Sequence, residues 1–131
     1  MSTTELLVTG VDFVGVPTQN LEAAMEFYGS TVGLRRSVYL EERNYAEFET
    51  GNVTLSVFDP TQWGMEYKAN PNALALHVDD VQQARAALEQ RGVEFAGETV
   101  DTGVCHMAFF ADPDGNALML HHRYVPRVTE S

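Results

Sequence analysis

The chain has 131 residues, of which 44% are hydrophobic and 21% charged; this suits one folded domain and excludes intrinsic disorder. A formal net charge of −11 repels phosphate backbones and anionic lipid headgroups, which argues against nucleic acid and membrane partners. Cys105 is the one cysteine, so no intrachain disulfide can form; with no leader-like segment in 1–10 and no run near the ~18 apolar residues of a membrane span, a cytoplasmic location is expected.

In chain order, residues 11–34 read as a strand, a helix and a stop. Asn20 supplies an N-cap oxygen, Leu21, Ala24, Met25 and Tyr28 fall at helical spacing, and Gly33 is placed to end the helix. Three β-prone runs follow at 37–40, 45–49 and 53–58, the last two joined by a tight turn at 49–52. Residues 59–72 are rich in Pro, Gly and Asn yet carry Trp63 and Tyr67. This segment reads as a linker pinned to its own domain, with a ligand lid as the alternative.

The second half repeats the first. Residues 73–93 give a strand, an Asp80-capped helix with Val81, Ala84 and Leu88 at the apolar positions, and Gly92. Overlaying Asn20 on Asp80 sets Tyr28 on Leu88. Strands are expected at 93–96, 105–111 and 117–124, with the turn Asp112-Pro113-Asp114-Gly115-Asn116 before the last. The unit is βαβββ used twice, about 10–60 and 73–125, with 61–72 between them.

Four segments in this order and spacing, NLEAAMEFYGSTVGL, FETGNVTLSVFDP, ALHVDDVQQARAALEQRGVEF and FFADPDGNALMLHH, resemble the vicinal oxygen chelate superfamily of glyoxalases, bleomycin-resistance proteins and extradiol dioxygenases. The resemblance implies an α+β fold, two βαβββ modules forming glyoxalase-like open-cup mixed sheets within a single domain, and a homodimer. In many relatives the cup holds a divalent metal bound by His or Glu from the first strand and Glu from the last strand of each module. Carried over position by position, those ligands fall on Phe13, Ala73, Met119 and Ser56, or Leu55 if the first module is counted from its turn glycine. None offers an imidazole or carboxylate, so no metal and no other cofactor is expected.

Strand alternation sets Ala117, Met119 and His121, with Ala75 and His77, on the cup face. The family pattern adds Cys105, Met107 and Phe109, and leaves His106 on the other side; His122 also points away. Met107, Phe109 and Met119 suit an apolar lining or plain core equally, and Cys105 reads as a buried inert thiol. Glu47 would be a general base if it faced the cup, but with Glu41 and Glu42 it reads as part of a solvated edge. Asp112 and Asp114 read as turn residues.

The expected function is glyoxalase/bleomycin-resistance-like binding of a small, apolar or aromatic organic molecule by a metal-free cup. Its candidate residues are Phe13, Ser56, Trp63, His77, Met107, Phe109, Met119 and His121. Two alternatives stay open: a metal-dependent lyase, isomerase or dioxygenase using a displaced site around His77 and His121, and a non-enzymatic dimeric scaffold with a packed cup.

Overall fold

The structure, a computed structural model, describes residues 6–128. Its first module runs β1 (Phe13–Pro17), α1 (Leu21–Glu26), β2 (Arg35–Leu40), β3 (Tyr45–Glu49) and β4 (Thr54–Phe58); the second runs β5 (Leu74–His77), α2 (Val81–Gln90), β6 (Ala96–Asp101), β7 (Cys105–Ala111) and β8 (Ala117–Arg123). Each module folds into a four-stranded sheet, ordered β1-β4-β3-β2 and β5-β8-β7-β6. In both, the first strand lies parallel to the last and the remaining pairs are antiparallel. The fold is the α+β pair of βαβββ modules.

Both helix starts follow from their caps. Asn20 Oδ1 accepts from the Ala23 amide at 3.1 Å and Asp80 Oδ1 from the Gln83 amide at 3.0 Å, each satisfying an amide that has no carbonyl partner in the first turn. The helices end differently. After Glu26 the first continues into a π-helical turn, Phe27–Thr31, instead of running on as an α-helix to Gly33. The widened turn sets the buried rings of Phe27 and Tyr28 edge to face at 5.1 Å.

One correction concerns the strand after α2, which begins at Ala96 rather than occupying 93–96. Val93 and Phe95 are half-buried anchors of the connection, and Phe95 packs on Phe110 with ring centroids 5.0 Å apart. Their apolar character reflects contact with the core, not strand pairing.

A single core joins the modules, made of Leu21, Ala24, Phe27 and Tyr28 from the first helical segment, Val81 and Leu88 from α2, and the inward faces of both sheets. On β3 and β4 that inward face carries Ala46, Phe48, Leu55 and Val57; on β7 and β8 it carries Ala108, Phe110, Leu118 and Leu120. By the two-residue period of a strand, the alternate residues face away from this core. The cup faces of the two sheets are therefore its outward surfaces.

Candidate functional site: an aromatic cup on the first module

The outward face of the first sheet is set by its register. Gly15 pairs with Ser56, Ser56 with Glu47, and Tyr45 with Phe58, so these side chains share one side of the sheet. Next to them a cavity of about 600 Å³ opens, within the range of ~300–1,000 Å³ common for small-molecule sites. Phe13, Phe58 and Tyr45 supply aromatic walls, Gly15 and Ser56 form the floor, and Leu40 and Arg43 stand at one side.

The opposite rim comes from the linker. Asp59 Oδ1 accepts from the Thr61 amide at 3.0 Å and from Thr61 Oγ1 at 2.6 Å, starting a 3₁₀ turn, Pro60–Trp63. Those hydrogen bonds hold the Asp59 carboxyl below its usual range. Through this turn Gln62, Trp63 and then Met65 reach the cavity, and Trp63 remains 69% exposed. Farther along, Tyr67 Oη donates to the Asp114 carbonyl at 3.2 Å, so the segment is fastened to the second module while its aromatic tip edges the first module's cup.

The floor is polar and ordered. Ser56 Oγ lies 2.8 Å from Tyr45 Oη, and Tyr45 Oη donates to the Glu47 carboxylate. Desolvation raises the Tyr45 phenol above its ordinary pKa, and the hydrogen bond to Glu47 adds to this. Glu47 is half-buried on the cup face rather than part of a solvated edge. Alternation against Ala46 and Phe48 sets its side, and its partners follow from register, a long-range property that composition does not carry.

Sequence reasoning placed Phe13, Ser56 and Trp63 among the ligand candidates, and all three line this cavity. It missed Gly15, Arg43, Tyr45 and Phe58; alternation against the apolar pair Ala46 and Phe48 was the available signal for Tyr45. The other candidates lie elsewhere. Met107 pairs with His121, Phe109 with Met119, and His77 with His121, which puts Met107, Phe109, Met119, His77 and His121 together on the outward face of the second sheet. None of these five lines the first module's cavity among the described residues.

The difference between the faces is one of size at matched positions. Where the first module has Gly15 beside Ser56, the second has Ala75 beside Met119; where the first has Glu47 and Tyr45, the second has Phe109 and Met107. Small residues open the first floor, and a thioether covers the second. Among the described residues, no group of three or more His, Cys, Asp or Glu side chains is arranged to hold a metal ion. Cys105 is buried, with Sγ 3.2 Å from Thr102 Oγ1. No helix among the described residues is long and apolar enough to cross a membrane.

The family model for the Glyoxalase/Bleomycin resistance protein/Dioxygenase superfamily matches residues 10–120. The chain belongs to this superfamily. Among solved structures it is similar to TnmS3, an antibiotic binding protein from Streptomyces sp. CB03234, at 27% identity and TM-score 0.75, covering 91% of this chain and 99% of that one. A glyoxalase/bleomycin resistance protein from the same Streptomyces is 29% identical at TM-score 0.70, covering 86% of this chain and 100% of its own. Lactoylglutathione lyase from Agrobacterium tumefaciens shares the fold at 19% identity and TM-score 0.74, with 88% and 95% coverage. No match is found among curated proteins.

Proposed function

We propose that the protein binds a small aromatic or otherwise apolar organic molecule in the first module's cup, as a metal-free member of its superfamily. The observation that carries this reading is the cavity itself, walled by Phe13, Tyr45, Phe58 and Trp63 over a floor of Gly15 and Ser56. The similarity to an antibiotic binding protein supports a drug-like ligand. The donor set supports the absence of a metal. At the positions where relatives place ligands this chain has Phe13, Ser56, Ala73 and Met119, and the Ser56 hydroxyl is already bonded to Tyr45. These groups do not fit a divalent ion.

The working form is a homodimer. Phe13 is 59% exposed and Met65 52% exposed at the cup, and the second sheet's Met107, Phe109 and Met119 lie half-buried on its outward face. An isologous pair covers such surface on both copies at once.

The test is a fluorescence titration with 1-anilinonaphthalene-8-sulfonate on wild type and on Ser56→Met, which gives the first floor the residue found at the matched position of the second. Saturable binding to wild type and at least tenfold weaker binding to a folded Ser56→Met protein are expected. No saturable binding to wild type, or equal binding to both, contradicts the reading.

A further inference from the structure

The polarity of the cup floor follows from hydrogen-bond counting. A carboxylate accepts only, so Tyr45 must spend its one proton on Glu47. Tyr45 Oη can then only accept from Ser56, 2.8 Å away, and Ser56 must spend its one proton there. What Ser56 Oγ has left to offer is lone pairs. Ser56 is nevertheless a cavity-lining residue, and the neighbour it pairs with, Gly15, has no side chain to cover it, so that the edge of the Phe58 ring packs there instead. A Cβ at Gly15 would come within 3.1 Å of Phe58 Cε1, a ring that is itself a wall of the cup. Glycine there keeps both the approach to Ser56 and the position of Phe58.

From this arrangement we propose that the cup selects planar aromatic molecules bearing a hydrogen-bond donor, a phenolic hydroxyl or a ring N–H, which is seated on Ser56 Oγ. The inference rests on the binding reading above and specifies its ligand. An ether or carbonyl oxygen brought to the same point meets lone pair against lone pair and loses its hydrogen bond to water without replacement. Glu47 and Tyr45 are positioning residues in this scheme: they fix the direction in which the Ser56 hydroxyl points. The raised Tyr45 pKa keeps its proton in place through neutral pH.

The experiment compares 2-naphthol with 2-methoxynaphthalene, equal in ring system and differing in the donor, by calorimetry near pH 7. The indole N–H NMR signal of the single tryptophan, Trp63, reports occupancy of the cup. Wild type is expected to bind 2-naphthol at least tenfold more tightly than the methyl ether. Tyr45→Phe frees the Ser56 proton, so it should bind the ether more tightly than wild type does and narrow the preference to about threefold or less. Ser56→Ala should weaken 2-naphthol about tenfold and leave the ether unchanged. Equal wild-type affinities, or a preference unaltered in both variants, overturn the donor rule while the binding reading survives. If neither probe binds wild type or shifts Trp63 up to its solubility limit, both the donor rule and the aromatic cup fall.

Discussion

Tyr28 Oη donates to Asp112 Oδ2 at 2.7 Å, across 84 residues of sequence, in the buried seam between the modules. The same carboxylate accepts from the Asp114 and Asn116 amides through Oδ1 and from Asn116 Nδ2 through Oδ2. Asn116 Nδ2 also donates to the Pro17 carbonyl at 2.8 Å. Close by, Asp114 accepts from Thr18 Oγ1 at 2.6 Å and from the Gln19 amide at 2.8 Å. The turn before β8 therefore clamps the end of β1 and the helical segment after it. Gly115, at φ +88°, lets that turn close.

Replacing Tyr28 with Phe removes the donor and leaves the ring. A buried hydrogen bond to a charged acceptor is worth about 1.5–3 kcal/mol, so Tyr28→Phe should lose about that much in urea denaturation. A loss under about 0.5 kcal/mol would mean that the seam does not depend on this bond.

The same phenol makes stability fall at alkaline pH. Burial first, and then the charge of Asp112, raise the Tyr28 pKa far above its ordinary value of 10.0. A raised folded pKa means that the folded state holds its proton while the unfolded chain releases it. The contribution is intact below pH ~10 and is lost progressively as pH rises above that. Denaturation curves between pH 8 and 11 should show stability dropping above about 10, and less steeply in Tyr28→Phe. Equal slopes would assign the alkaline loss to other groups.

Asp112 and Asp114 show where sequence reading stops. Their place in a Pro-Gly turn was legible, because the turn chemistry is local; their hold on Tyr28 and Thr18 was not, because it depends on how two modules dock. Helix caps at Asn20 and Asp80 and the duplicated order of elements were legible for the same local reason, and the arrangement of the sheets through the family resemblance. Ser56 was legible as a cup residue through alternation and the family pattern. Alternation against Ala46 and Phe48 was open to Glu47 as well as to Tyr45, but its partners were not legible, since its place opposite Ser56 and its bond from Tyr45 depend on strand register.

Pairing of two copies predicts a light-scattering mass near twice that of the chain at micromolar concentration. Phe13→Glu, which sets a charge on an exposed apolar rim, should weaken the pair at least tenfold. A single-chain mass across a wide concentration range, or a variant that dimerises as wild type does, would contradict the dimer.

The central claim is that the first module's cup holds the ligand, and amide and indole NMR shifts during titration with 1-anilinonaphthalene-8-sulfonate test it most directly. Saturating shifts centred on Gly15, Ser56, Phe58 and the Trp63 indole are the expected result. Shifts centred on Met107, Met119 and His121 with Trp63 unmoved, or no saturable shifts at all, would contradict it.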